Sequence, residues 1–458
     1  MGTKEGRFTY QPQQLQDFAR TILAHAKSFG AHGCDCDVSE GHGLSVTVRK
    51  GNVETIEHNR DKGIGVSVYL GERPDVRRGH ASTSDFSPAA LRQTVEAAAA
   101  IARYTAKDDC AGLPEPELLA RDAADLDLDL YHPWDVNSEE AITIARRAED
   151  AAFSLSPKLK NSEGASLSVQ HSQFVFANSL GFMGGFPSSR HSLWCAVIAE
   201  HRGLMQRDDW YSAARVQAKL AQPEALGRYA GERALARLGA RKIATCQVPV
   251  LFEAPLAAGL IGSLVSAASG GSLYRKASFL VDSLGKQVFS PLVSIEERPF
   301  ERQGLASSPF DAEGVAPQAR TVVKNGVLEG YFLSSYSARK LGQRSTGSAG
   351  GAHNLVTRSA SPNAGPDFRG MLRKLHRGLL VTELLGHGIN LLTGDYSRGA
   401  VGYWVEGGEI RHPVEEVTIA GNLRDMFRGI VEIGSDEFVQ GAYRTGSILV
   451  ENMTVAGN

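Results

Sequence analysis

The spacing of apolar residues changes period along the first part of the chain, and this change restricts the fold more than any other feature. Residues 11–29 place their apolar side chains on one face of a helix. Residues 44–48 then alternate apolar and polar, which is typical of a half-buried strand. Lys50-Gly51-Asn52 has turn chemistry, and residues 53–57 and 63–70 predict two further strands. The sequence therefore predicts a helix followed by an antiparallel meander.

Three more helices are predicted before the middle of the chain. Ser87 caps a helix that begins at Pro88. Residues 138–154 form the next helix, and Pro223 begins the last one. Residues 107–136 are rich in aspartate and proline, and we expect an irregular surface connection there.

The stretch 239–247 is the best candidate for a domain boundary. A chain of 458 residues is too long for one ordinary core, so two domains of roughly 200 residues are expected. Beyond this stretch, Asn325-Gly326 and Gly407-Gly408 each lie between strand-like segments and predict hairpins. We predict an α+β fold, with an N-terminal α/β domain that contains the meander (residues 1–240) and a β-rich C-terminal domain (residues 241–458).

The charge balance excludes several classes of partner. The chain has 49 basic and 51 acidic residues and a formal net charge of -2, which offers no electrostatic footprint for nucleic acid or an anionic membrane. Its most apolar run, residues 256–268, is too short to cross a bilayer and predicts a buried helix. Five cysteines are too few for a disulfide framework, and the first residues lack the apolar core of a signal peptide. We therefore predict a soluble cytoplasmic protein.

Motifs for metal or nucleophilic catalysis are scarce. No H-E-x-x-H, G-x-S-x-G, G-x-G-x-x-G or P-loop pattern occurs. Cys34 and Cys36 are the only close cysteine pair; they are either part of a zinc site, which needs four ligands, or a plain helix-to-strand junction. Two S-x-x-K patterns, at Ser283 and Ser337, are short enough to occur by chance and lack the companion motifs of Ser-Lys enzymes.

Four polar residues lie in glycine-rich loops, where a ligand can approach the backbone. His353 and His387 either contact a ligand or serve as turn residues with a locally hydrogen-bonded ring. Asp395 and Arg398 either form a charge-assisted pair that contributes to a site or only pin a tight loop. The residues alone leave both interpretations open.

The C-terminal third carries a longer pattern. It contains TGDYSRG at 393–399, GYWVEGGE at 402–409 and PVEEVTIAGN at 413–422, and MTVAG follows at 453–457. The run 382–422 resembles the TldD/PmbA family, on its PmbA (TldE) side. Weaker similarity in the first half extends the resemblance over nearly the whole chain.

This resemblance implies a fold, an activity and a partner. The implied fold is an N-terminal α/β domain followed by a β-rich C-terminal domain. TldD-type subunits carry H-E-x-x-x-H on a helix, where the histidines hold zinc, the glutamate can act as general base, and the metal lowers the pKa of bound water. TldD and PmbA chains pair into a heterodimer whose chamber admits unfolded or extended peptides. The implied partners are therefore a zinc-bearing TldD-like chain and a peptide substrate.

The chain departs from the catalytic pattern of the family. Phe252 and Ala257 stand at the two histidine positions, and only Glu253 is retained. Because phenylalanine and alanine offer no lone pair to a metal, we predict no catalytic residue, metal ligand or cofactor in this chain, with zinc in the TldD-like partner. Five residues are candidates for lining a substrate channel or pinning loops: Glu253, His353, His387, Asp395 and Arg398.

The predicted function is that of the non-metal-binding subunit of a cytoplasmic zinc metallopeptidase, in proteolysis or peptide precursor maturation. A stand-alone binding or assembly protein, for example a homodimer, is the alternative, since the same missing ligands fit it. A third hypothesis is a hydrolase with an unrecognised nucleophile such as Ser337.

Overall fold

The computed structural model describes residues 8–123, 126–360 and 365–457 of the chain. In these ranges the helices are α1 (Pro12–Ser28), α2 (Pro88–Tyr104), α3 (Ser138–Phe153), α4 (Pro223–Ala236), α5 (Ala254–Ala267), α6 (Gly270–Tyr274), α7 (Ser335–Lys340), α8 (Phe368–Leu375) and α9 (Leu423–Arg428). The strands are β1 (Gly33–Arg49), β2 (Asn52–Leu70), β3 (Arg77–Thr83), β4 (Leu159–Asn178), β5 (Met183–His201), β6 (Leu204–Ala214), β7 (Cys246–Phe252), β8 (Val293–Glu297), β9 (Arg320–Lys324), β10 (Val327–Leu328), β11 (Leu355–Ser359), β12 (Arg377–Leu385), β13 (Asp395–Glu406), β14 (Glu409–Asn422), β15 (Ile430–Ile433), β16 (Phe438–Gln440), β17 (Tyr443–Thr445) and β18 (Ile448–Ala456).

These elements form the α+β fold that the sequence predicts, and their strands are arranged in three six-stranded sheets. The first sheet uses only strands up to β6, and the other two use strands from β7 onward. None of the helices in the described ranges is both long and apolar enough to cross a membrane. The first seven residues, and residues 124–125 of the predicted irregular connection, lie outside the described ranges.

The first sheet is antiparallel throughout, with the strand order β3-β2-β1-β4-β5-β6. β1 turns into β2 at Lys50 and Gly51, which have φ of 51° and 73°, as a tight hairpin turn requires. The prediction of two separate strands after this turn is wrong, because β2 runs unbroken through residues 58–62. Those residues are polar like a loop, but they lie where β2 is an exposed edge and polar side chains meet solvent on both faces.

One face of the first sheet carries two pairs of helices. α1 and α2 cover one end, where Cys36 and Val38 lie in one apolar cluster. α3 and α4 cover the other end, where Val46 lies in a second cluster. The two helices of this pair approach closely at Gly227, where a Cβ atom would lie 1.8 Å from the carbonyl oxygen of Ala148. A glycine is therefore needed at that contact.

A belt of buried polar side chains separates the two apolar clusters. The rings of His42 and His171 stack with centroids 4.7 Å apart, and the ring of His191 lies 5.5 Å from that of His171. The backbone N–H of Trp134 donates to Nε2 of His171 over 3.2 Å. Burial, with smaller contributions from the neighbouring histidines, lowers the pKa of His171 to about 4. The belt is therefore built to hold uncharged imidazoles.

The second half is organised around a closed barrel. β14 pairs with β13 on one side and with β18 on the other, which closes the ring β7-β12-β13-β14-β18 and leaves no open edge in it. The third sheet has the order β10-β9-β8-β11-β17-β16. The predicted glycine turns are confirmed: Asn325-Gly326 joins β9 to β10, and Gly407-Gly408 joins β13 to β14, all with positive φ. The predicted buried helix is α5, which packs into the apolar cluster between these sheets.

A buried ion network joins the first half to the barrel. Asp208 on β6 contacts Arg233 over 3.1 Å and Arg237 over 2.9 Å. Arg233 also contacts Glu253 at the start of α5, with 2.7 Å between Nη1 and Oε1, and Arg237 contacts Glu383 on β12. Burial raises the pKa of Glu253, and the charge of Arg233 opposes that rise. The network therefore fixes α4 against the barrel with charges that are largely shielded from solvent.

Replacing Arg233 with methionine should destabilise the protein by about 3–5 kcal/mol, because Glu253 would remain buried without its cation. The free energy of unfolding in urea measures the effect. Arg147→Met is a matched control, since Arg147 pairs with Glu224 on the neighbouring helix in a half-exposed position and should contribute at most about 1 kcal/mol. Equal losses in the two variants would contradict a structural role for the network.

The histidine belt should make stability depend on acid pH. Because the folded-state pKa of His171 is about 4 and the unfolded value is about 6.5, the unfolded chain binds the extra proton between these values. Stability should therefore fall as the pH falls through this window, by up to about 1.4 kcal/mol per pH unit for this residue. Unfolding curves from pH 7 to pH 4 should show a shallower slope for His171→Gln than for the exposed His387→Gln control.

Candidate functional site

The positions that the family resemblance assigns to metal ligands lie inside the apolar core. Phe252 ends β7 and Ala257 lies in the first turns of α5, and both side chains are fully buried in the same apolar cluster. Neither side chain has an atom that binds a metal. Glu253 is the residue directly before α5, and its carboxylate accepts a hydrogen bond from Arg233 instead of capping the helix. The residues at these positions therefore do not fit a zinc ion.

His353 is a buried residue with a defined partner. Its backbone N–H donates to Oε1 of Glu297 over 2.9 Å, and its Nδ1 lies 3.2 Å from the same oxygen. Arg320 holds the other carboxylate oxygen over 2.7 Å. Burial alone would raise the pKa of Glu297, but the bonds from His353 and the charge of Arg320 together lower it. Of the two interpretations, the structure favours a locally hydrogen-bonded ring.

The remaining three candidates lie around the turn that connects β12 to β13. His387 is exposed, and its carbonyl accepts a bond from the backbone of Ile389. Asp395 accepts bonds from Thr393 (2.6 Å) and Asn422 (3.1 Å), and these bonds hold its pKa below the usual value. Arg398 donates instead to the carbonyl of Leu384 over 3.4 Å. The charge-assisted pair of Asp395 and Arg398, one of the two interpretations of the sequence, does not form, because each side chain bonds to a closer local partner.

The five candidates therefore do not converge on one site. Glu253 belongs to the ion network between the two halves, and His353 belongs to a separate buried cluster with Glu297. Asp395 stabilises its own loop, which was one of the two interpretations open from the sequence.

The side chains of Cys34, Cys36 and Ser337 contribute to packing and helix capping. Cys34 and Cys36 are buried in the apolar cluster under α1 and α2, and burial raises the pKa of both thiols. Ser337 is buried in a capping box at the start of α7, with its hydroxyl donating to the carbonyl of Ser334. Lys340, the lysine of that S-x-x-K pattern, pairs with aspartates instead. These contacts do not form a Ser-Lys pair.

Among the described residues, one group of side chains has the spacing that could hold a metal: Asp108, Asp109 and Cys110, with their ligand atoms within 4.8 Å of one another. Lys340 already occupies the group, with Nζ 2.9 Å from Asp108 and 3.2 Å from Asp109. A metal would have to displace this ammonium group. The acidic side chains are therefore explained by an ion pair.

The structure also shows two sets of residues that sequence reasoning missed. The first set is the arginines of the ion network. The second set is the residues that line a cavity of about 390 Å³ between the first sheet and the second half of the chain. A larger groove of about 710 Å³ lies between residues 116–123 and 126–131 on one side and the β4–β5 turn on the other, beside Phe182 and Phe310. The alternation of β1 could have indicated the histidine belt, because His42 falls on the same face as Val38 and Val46.

The sequence matches three domain families over most of its length. Residues 34–102 match the PmbA/TldA metallopeptidase domain 1, residues 131–238 match the central domain, and residues 245–457 match the C-terminal domain.

Curated relatives and a solved structure agree with these matches. The chain is 48% identical over 435 residues to "Metalloprotease PmbA" of Escherichia coli O157:H7, covering 95% of this chain and 94% of that protein. It is 43% identical to "Metalloprotease PmbA homolog" of Haemophilus influenzae, covering 98% and 97% of the two chains. The structure of TldE from Thermococcus kodakarensis shares the fold, with a TM-score of 0.80, 19% identity, and coverage of 96% of this chain and 100% of that one. The chain therefore belongs to the PmbA/TldD metallopeptidase family and is of the PmbA type.

Proposed function

We propose that this chain is the non-metal-binding, PmbA/TldE-type subunit of a cytoplasmic zinc metallopeptidase that acts on unfolded or extended peptides. A TldD-like chain would supply the zinc and the catalytic residues. This chain would complete the chamber, bind part of the peptide and hold the zinc subunit in its active shape. Membership of a metallopeptidase family supports a peptidase-like function, although family membership alone does not define a site.

The single observation that carries the proposal is the packing at residues 252–257. Phe252 and Ala257 are 0% exposed in the apolar core, and the carboxylate of Glu253 is committed to Arg233. A general base needs a carboxylate that reaches water or substrate, and Glu253 instead lies in the ion network between the two halves. This supports a role in which the chain needs no zinc of its own.

The chain alone should bind little zinc and should not cleave an unfolded peptide, because its core offers no ligand set at the family position. The purified protein would be dialysed against zinc, analysed for metal content and assayed with an unfolded reporter peptide. Stoichiometric zinc together with robust cleavage would overturn the proposal. Adding a purified TldD-like chain should form an equimolar complex that cleaves the peptide. If no such complex forms and no cleavage appears, a stand-alone binding protein, the alternative function, would be favoured.

An exposed edge of the first sheet suits the binding of an extended peptide. Among the described residues, no strand pairs with residues 52–63 of β2 on the side away from β1, because β3 begins to pair only at Ile64. Such an edge presents unpaired backbone groups to an added strand. Val53 and Ile56 are 39% and 44% exposed there. We place the peptide contact of this subunit at this edge.

Replacing Ile56 with lysine should weaken the binding of a labelled, unstructured peptide, because a charge on an exposed edge opposes strand addition. Fluorescence anisotropy would measure the affinity. Val439→Lys is the matched control, since Val439 is 42% exposed and lies on β16, the edge of the third sheet. A loss of affinity in the Val439 variant, with none in the Ile56 variant, would place the contact elsewhere.

A further inference from the structure

A polar cavity lies between the end of the first sheet and a part of the second half formed by α7 and the loop at residues 312–313. It has a volume of about 390 Å³, within the range of about 300–1,000 Å³ that is usual for small-ligand sites. Asp35, Tyr69 and Arg78 enter it from three neighbouring strands, β1, β2 and β3. Glu313 and Tyr336 enter it from the second half of the chain. The cavity therefore depends on contact between the two halves.

Two carboxylates in this cavity, Asp35 and Glu313, form no ion pair within 4.0 Å with any described residue, although the charge of Arg78 acts on Asp35 at longer range. Among the described residues, no lysine or arginine nitrogen lies within 4.0 Å of the carboxylate of Asp35 or Glu313. Asp35 accepts a bond from the hydroxyl of Tyr69 over 2.8 Å, and Glu313 accepts one from the backbone N–H of Ser335 over 2.8 Å. The hydrogen bonds to both groups come from neutral donors, and Arg78 stabilises the charge of Asp35 without forming an ion pair. The cavity can therefore accommodate a cation beside Asp35 and Glu313.

The neighbouring Asp108 shows that the protein can balance such a charge. Asp108 also borders the cavity, yet it accepts bonds from Lys340 over 2.9 Å and from Tyr336 over 2.7 Å. Burial raises the pKa of Asp35, with Tyr69 and Arg78 opposing the rise. A half-buried carboxylate without an ion partner costs stability. Two such carboxylates beside a cavity of this volume make it a candidate site for a ligand.

The opposite charge is present in the same cavity. Arg78 has no carboxylate within 4.0 Å among the described residues, and its Nη2 donates to the hydroxyl of Ser67 over 3.1 Å. The other donors of its guanidinium fork remain available to a carboxylate. Phe176 contributes an apolar wall. The cavity therefore combines an anionic pole, a cationic pole and an apolar side.

We propose that this cavity binds a short peptide with both ends free, such as a dipeptide, with its ammonium group facing Asp35 and Glu313 and its carboxylate facing Arg78. The hydroxyls of Tyr69 and Tyr336 also border the cavity; because they donate to Asp35 and Asp108, they can accept a hydrogen bond from an N–H of the peptide. Binding here needs neither zinc nor a partner chain. Its test is therefore independent of the proposed subunit function and of the contact at the β2 edge.

Isothermal titration of the purified full chain would test the proposal with three matched ligands: Ala-Ala, N-acetyl-Ala-Ala and Ala-Ala amide. Ala-Ala should bind, and N-acetylation should weaken binding by about tenfold or more, because it removes the charge that faces the carboxylates. Amidation should also weaken the binding of the dipeptide, because it removes the carboxylate charge that faces Arg78. Absence of Ala-Ala binding, or equal binding of the acetylated ligand, would overturn the proposal.

Three variants link these effects to the residues. Asp35→Asn and Glu313→Gln should weaken Ala-Ala but have little further effect on the acetylated ligand. Arg78→Gln should weaken Ala-Ala but have little further effect on the amide. Glu451→Gln, at an exposed position away from the cavity, is the control and should bind Ala-Ala normally.

Thermal unfolding without ligand separates loss of binding from loss of fold. Asp35→Asn should melt at the same temperature as the unchanged protein or higher, because it removes a half-buried charge that has no ion pair while keeping the bond from Tyr69. A variant that melts earlier and still binds Ala-Ala would show that Asp35 has a structural role, and it would overturn the assignment.

Discussion

The junction between the two halves of this protein depends on Arg233 of α4 and on Arg237, which directly follows that helix. Arg233 and Arg237 emerge from the first half and contact carboxylates on both sides of the junction. Arg233 also stacks over the ring of Trp210, with 5.0 Å between Cζ and the ring centroid. The planar guanidinium group can make several bonds at once in a fixed geometry, which a lysine at the same place could not do. The position of the barrel against the first sheet is therefore set by directional contacts.

Other arginines repeat this arrangement along the junction. Arg215, at the end of the first sheet, donates to the carbonyls of Gly304 and Leu305 in the second half. Arg339, on α7, reaches back to Glu115 and to the carbonyl of Cys110. In each case one guanidinium group donates hydrogen bonds to several backbone carbonyls across the junction. The cavity lies among these contacts, so its shape follows from the same constraint.

Local features of the sequence predicted the elements well but did not predict their partners. The glycine turn at Asn325-Gly326 and the cap at Ser87 were predicted correctly, because turn and cap chemistry act over a few residues. The continuity of β2 was missed, because polar residues on an exposed edge resemble a loop. The pairing of Asp208 with Arg233 joins positions far apart in sequence, and no periodicity reports such a contact.

The residues of the candidate functional site could likewise be predicted from the sequence, but their long-range contacts could not. The family resemblance pointed to residues 252–257, and burial in the apolar cluster explains why Phe252 and Ala257 suit that position without a metal. The sequence could not show that the retained Glu253 serves the junction, since that depends on where α4 lies. Nor could it show that Asp35 and Glu313 face one cavity, because they come from different halves of the chain.

The protein thus treats its buried carboxylates in two ways. Where α4 meets the barrel, Asp208 and Glu253 are each matched by an arginine within about 3 Å. At the cavity, the half-buried Asp35 and Glu313 accept hydrogen bonds from neutral donors, and the charge of Arg78 opposes the rise in the pKa of Asp35 without an ion pair. Sheet packing does not require a charge at Asp35, because this residue lies on the face of β1 opposite to the apolar cluster. Its carboxylate is therefore available to a ligand in the cavity.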